Sequence, residues 1–139
     1  QTILERDGYV TAEKVRNIFL GKEEKAKTLL QVFAQHNEQY ALKVGKTATQ
    51  KTYTRYELTK NRLAEYIHNK YNLEDITFRE INVVFIEGFY LFIRENYPCT
   101  HNTAMKFIQR FRTVVLFAHN LGLITFNPFG AYKLKFEYG

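Results

Sequence analysis

The chain has one cysteine, two prolines, seven glycines and no tryptophan in 139 residues. A lone Cys99 excludes an internal disulfide and fits a reducing compartment. So few prolines and glycines, placed mostly at apparent element ends, favour helices with short connections. No apolar run approaches the roughly 20 residues that span a bilayer, and the most apolar one, Val83–Ile93, is broken by Glu87 and Gly88. No signal peptide opens the chain, and its start at Gln1 instead of Met suggests a fragment of something longer. His36, His68, His101 and His119 stand alone, with no second ligand at i+3 or i+4, so no metal site is predicted. Cys99 beside His101 completes neither a metal site nor a nucleophile dyad, and a half-buried cysteine near a helix start is the simpler reading. There is no glycine-rich phosphate loop, and Glu23-Glu24 and Glu74-Asp75 sit where helix starts explain them. No catalytic residue, cofactor or small-molecule substrate is predicted.

What is present is charge, sorted by segment. The net charge is +6. Residues 45–72 carry Lys46, Lys51, Arg55, Lys60, Arg62 and Lys70 against Glu57 and Glu65, a net +4. Residues 98–122 carry Lys106, Arg110 and Arg112 with no acid, whereas residues 73–97 sum to −3. Charge sorted by helix is the pattern of a domain that lays helices against a polyanion.

Periodicity predicts an all-α chain. A short helix covers Ala12–Leu20, and a longer one runs from about Lys22 to Val44, stopped by Gly45. A third, capped by Thr47 or Thr49, reaches about Lys70. At about 100° per residue its Tyr53, Tyr56, Leu63 and Ile67 share one side, and Lys51, Thr52, Arg55, Thr59 and Arg62 the other. Thr77 and Glu80, flanked by Ile76 and Ile81, have the spacing of a capping box with a hydrophobic staple. From there one helix, or a turn and a fresh helix from Asn82, runs to about Asn96; being apolar nearly all round, it is predicted to be the most enclosed. Thr100 or Asn102 caps the last helix, which ends at Leu121-Gly122 with Lys106, Gln109, Arg110 and Thr113 on its outer face. Asn127–Gly130 is a turn, and Tyr132–Tyr138 alternates like an extended linker.

The basic helices interleave cations with hydroxyl and amide groups suited to phosphate oxygens and base edges: Thr49, Thr52 and Thr59 on one, Asn102, Thr103 and Gln109 on the other. Their cations are weighted to the first half of each helix, where the macrodipole disfavours them, and a bound anion would offset that cost.

Four segments occur in a telling order: Lys46–Tyr53, Leu73–Thr77, Asn102–Lys106 and Leu121–Phe129. Together they resemble the SAM-like core-binding domain of phage-integrase-type tyrosine recombinases, particularly those of Bacteroides mobile elements, over about residues 22–135. The resemblance implies a compact four-helix bundle at 22–130, a short extra N-terminal helix at 1–21 ending an arm-binding domain, and a linker at 131–139 towards a catalytic domain. It implies one half of a clamp on crossover-site DNA, with the starts of the second and fourth bundle helices at the major groove. By position, Lys51, Thr52 and Arg55 then fall in one contact segment and Asn102, Thr103, Lys106 and Arg110 in the other; Lys46, Thr49 and Arg62 complete the predicted DNA-binding set. The family's Arg, Lys, His-x-x-Arg and Tyr catalytic set belongs to a separate domain, and this sequence contains no His-x-x-Arg. Implied partners are double-stranded DNA and sister protomers of the full-length recombinase, with no membrane, in a bacterial cytoplasm at the nucleoid. The alternative is a protein-interaction bundle whose basic faces are merely solvated, docking a partner through Phe107–Phe111 or Val83–Ile93.

Overall fold

The computed structural model describes residues 27–138. Within them lie four α-helices: α1 (Leu29–Ala41), α2 (Gln50–Tyr66), α3 (Val83–Asn96) and α4 (His101–Asn120). A π-helical turn, Ile67–Tyr71, extends α2, and a 3-10 turn, Phe78–Glu80, precedes α3. No strand forms among the described residues; Thr28–Thr77 and Val44–Ala48 are isolated bridges. The predicted Ala12–Leu20 helix lies outside the described residues.

Each helix begins where a short polar side chain replaces a missing intrahelical partner. Thr49 Oγ1 accepts from Thr52 N at 3.1 Å, Asn82 Oδ1 from Phe85 N at 2.9 Å and Thr100 Oγ1 from Thr103 N at 3.2 Å. Helix α1 is capped from a distance. Thr28 is extended, so the helix starts at Leu29 and not near Lys22. Asp75, far along the chain, accepts from Thr28 Oγ1 at 2.6 Å and from Leu30 N at 3.0 Å. Its carboxylate therefore sits at the positive end of α1's dipole and ties the α2–α3 link to that helix.

The end of α1 and the capping box at Thr77 also differ from the sequence expectation, whereas the fresh helix from Asn82 is one of its two alternatives. Helix α1 stops at Ala41, and Leu42–Ala48 form a tight turn in which Gly45 adopts φ +89°, a conformation that favours glycine. Thr77 makes no side-chain cap bond; after the 3-10 turn the chain straightens at Ile81 and restarts as α3 under Asn82. Ile76 and Ile81 both enter the core nonetheless.

The enclosed helix is α4, not α3. Its Ala104, Met105, Phe107, Ile108, Phe111, Val114, Val115 and Ala118 are all buried. Helix α3 buries Phe85, Ile86, Phe89 and Ile93 but exposes Val83, Val84 and Leu91, Val84 at 74%. Apolar composition alone misjudges this because a helix at the bundle's edge has only one neighbour-facing side. Phe111 sits where rings meet, with centroids 6.1, 5.8 and 5.1 Å from those of Phe85, Phe89 and Phe129. Ile124 and Phe129 bring the segment after α4 back into this core.

Helices α2 and α3 meet at Tyr66, which is 1% exposed and donates its hydroxyl to Phe85 O at 3.0 Å. The contact requires Gly88, since a Cβ there would lie 2.2 Å from the Tyr66 oxygen. In an open helix Gly→Ala stabilises by about 1 kcal/mol. Gly88→Ala should instead destabilise by about 1–3 kcal/mol in urea melts, as overpacking does. In a Tyr66→Phe background the same change should cost clearly less, and an equal loss in both backgrounds would refute the steric account.

Candidate nucleic-acid interface

The two basic helices cross at a buried polar contact. Arg110 on α4 donates from Nη1 to Thr59 Oγ1 at 2.8 Å, and that hydroxyl donates to Arg55 O at 2.8 Å one turn earlier on α2. Thr59 is fully buried, and the Arg110 guanidinium lies 4.9 Å from the centroid of the Phe107 ring. The crossing leaves a groove of about 410 Å³ lined by Thr52, Arg55 and Tyr56 from α2 and by Lys106, Gln109, Arg110 and Thr113 from α4.

Among the described residues no carboxylate lines this groove. Burial, and then the neighbouring Arg55 charge, press the Arg110 guanidinium below its ordinary pKa. An arginine keeps its charge regardless, so Arg55, Arg110 and Lys106 face one space with like sign. Among the described residues the carboxylates of these helices are engaged elsewhere, Glu57 with Lys60 at 3.6 Å and Glu65 with Arg62 at 3.1 Å. A polyanion entering the groove would find three cations and the Gln109 amide, with repulsion among the cations to relieve.

The predicted contact residues divide into groups. Thr52, Arg55, Lys106 and Arg110 come together in the groove. Lys46, Thr49 and Lys51 are exposed at the start of α2, with Thr49 also serving as its cap. Thr103 is exposed in the first turn of α4, its backbone N–H bound by Thr100. Arg62 stands apart: it pairs with Glu65, and its guanidinium lies 3.8 Å from the centroid of the Tyr97 ring, while Tyr97 donates its hydroxyl to the same carboxylate. Asn102 is occupied by backbone, its Nδ2 donating to Glu137 O at 2.6 Å and its Oδ1 accepting from Glu137 N at 2.7 Å. Three groove residues fell outside the predicted set. Gln109 and Thr113 were legible as outward on α4, but Tyr56 has inward phase and is half-buried at the wall of the groove.

Behind Tyr56 lies an aromatic wall. His36 is buried on α1, with ring centroids 4.7 Å from Tyr56, 5.2 Å from Phe117 and 6.2 Å from Tyr40. Its Nδ1–H donates to Asn37 Oδ1 at 2.9 Å, and Asn37 Nδ2 donates to Glu57 Oε2 at 2.8 Å. Burial first, with Lys43 adding, holds the His36 pKa below its ordinary value against the opposing Asn37 bond. Among the described residues no cluster of three or more His, Cys, Asp or Glu side chains could hold a metal ion, and no helix is long and apolar enough to cross a membrane.

An all-helical bundle whose second and fourth helices present a cationic groove is thus the class of protein in hand. Residues 28–135 match the family model of the phage integrase SAM-like domain. The chain belongs to that family, and the match is to a SAM-like domain, the kind that serves DNA binding in integrase-type recombinases, and not to a catalytic one. Comparison with curated proteins and with solved structures gave no match.

Thr59→Val removes the acceptor for a half-buried guanidinium while keeping the side chain's volume. It should cost about 1.5–3 kcal/mol in urea melts, the range for a hydrogen bond to a charged group; a loss below about 0.5 kcal/mol would show that the crossing does not depend on this bond. For His36 the folded pKa lies below the unfolded one, so the unfolded chain binds the extra proton. Stability should therefore hold above the ordinary histidine pKa of 6.5 and fall as pH drops below it. Thermal melts at stepped pH should show that fall diminished in His36→Gln.

Proposed function

We propose that this chain is the core-binding module of a site-specific tyrosine recombinase and grips duplex DNA through the starts of α2 and α4. The observation that carries the reading is the groove where Arg55, Lys106 and Arg110 converge, with no carboxylate among the described residues that line it. In it, Arg55, Lys106 and Arg110 bind phosphate oxygens, and Thr52 adds a hydroxyl donor. Lys46, Thr49, Lys51 and Thr103 extend the contact along the two helix starts, where the dipoles favour anions. Phosphate contact dominates, with limited base readout. Strand cleavage, through a phosphotyrosine intermediate, belongs to another domain of the parent recombinase. Sister protomers on the same DNA are the further partners, in a bacterial cytoplasm at the nucleoid. The domain division follows: residues 1–21 as the end of an arm-binding domain, 22–130 as the bundle, and 131–139 as the way towards the catalytic domain.

The competing reading, a protein-interaction bundle, is favoured by one observation: Val84 and Leu91 are exposed on the outer side of α3. Its other suggested surface is closed, since Phe107 and Phe111 are buried.

Fluorescence anisotropy with a random-sequence duplex between 50 and 200 mM salt separates the two. Each phosphate contact contributes roughly 0.9 to the slope of log K against log[salt]. Lys51→Ala with Arg55→Ala should flatten that slope by about 1–2. Lys70→Ala with Arg79→Ala removes equal charge from exposed sites outside the groove and should change it much less. Equal losses from both pairs would mean unspecific attraction, and salt-independent or absent binding would favour the interaction bundle.

A further inference from the structure

After α4 the chain neither leaves the bundle nor hangs free. Residues 132–138 run extended along it, with Tyr132, Leu134 and Phe136 packed against the core and Lys133, Lys135 and Glu137 exposed. Two side chains at the first turn of α4 hold this strap by its backbone. Asn102 grips Glu137 in both directions, as donor and as acceptor. His101 holds Lys135 O at 2.5 Å through Nε2. The imidazole is itself oriented: Arg94 donates to the Tyr90 hydroxyl at 2.8 Å, which leaves that hydroxyl to donate to His101 Nδ1 at 2.8 Å and Nε2–H to face the strap. Tyr132 anchors the strap's beginning on α3, its hydroxyl 3.4 Å from Glu87 Oε1.

The strap ends beside the cationic groove. Asn102 and Lys106 are four residues apart on one helix, so they share a face about 6 Å apart along the axis. Lys133 and Lys135 alternate with the packed residues of the strap, so both side chains are exposed on its outer side. We propose that the strap is a built part of the DNA-binding surface: the His101–Asn102 clamp holds it so that Lys133 and Lys135 form a second row of phosphate-binding cations beside the start of α4. In this arrangement Asn102 and His101 are positioning residues, and Asn102 contributes to binding through the strap instead of through a base or phosphate. The proposal rests on the DNA reading above and extends its surface to a segment after the last helix.

The test uses the whole 139-residue chain in the same anisotropy titration. Lys133→Ala with Lys135→Ala should flatten the salt slope by about 1–2. Asn102→Ala should flatten it in the same direction. Adding Asn102→Ala to the lysine pair should then change nothing further, because its effect passes through those lysines. Hydrogen exchange at the Glu137 amide, measured without DNA, should accelerate in Asn102→Ala. An additive loss on combining the variants would make Asn102 a direct contact and overturn the positioning role. If the lysine pair leaves the slope unchanged while the Lys51/Arg55 pair flattens it, the strap proposal falls and the groove reading stands. If neither pair flattens it, the DNA reading itself falls, and the strap proposal with it. The lysine pair decides even where Asn102→Ala loosens the fold, since both side chains are exposed.

Discussion

The bond from Arg110 to Thr59 is the contact on which the candidate site is built. It joins α2 and α4 at a point where one partner is fully buried and the other is a half-buried charge, so its loss would leave that guanidinium without this acceptor. The bond spans the two helices where they meet, and the groove opens beside it. The same geometry brings Arg55 beside Arg110, two like charges that the fold tolerates only because water, or a bound anion, reaches the open side. A residue that reads as a surface cation therefore serves both packing and electrostatics.

The same economy recurs elsewhere. Asp75 completes α1's first turn from across the chain and fastens the α2–α3 link, so one carboxylate both caps and staples. Tyr66 fills the space of the absent Gly88 side chain and satisfies a carbonyl of α3. Asn102 and His101, at the start of the longest helix, bind the chain's return instead of solvent. Asp75 caps and Glu57 and Glu65 pair, while the cations of the α2–α4 groove find no acidic partner among the described residues around them.

Much of this was legible in residue order. The helix caps at Thr49, Asn82 and Thr100 follow from short polar side chains ahead of periodic runs, and the buried face of α4 follows from phase alone. Four of the ten predicted contact residues, Thr52, Arg55, Lys106 and Arg110, line a single groove as helical phase expects, but Thr59, phased with the cations of α2, is fully buried because α4 packs over it. Phase fails where a third element intervenes. Arg62 has the right phase on α2 but meets Glu65 and Tyr97, and Asn102 has the right phase on α4 but meets the strap. Helix α3 looked like the core helix because hydropathy counts apolar residues without knowing how many neighbours a helix has.

The sequence by itself determined the helical class, the segregation of charge onto two helices, most of the helix starts and the family, because these depend on local propensity, periodicity and the order of short motifs. Tertiary structure alone decided which cations share a groove, that Asp75 caps a helix on which it does not lie, that α4 and not α3 is the enclosed helix, and that residues 132–138, read from sequence as an extended linker, are strapped to the bundle. Each of these is a contact between residues distant in the chain, and a one-dimensional pattern carries no information about which of several chemically suitable partners will be nearest once the core has packed.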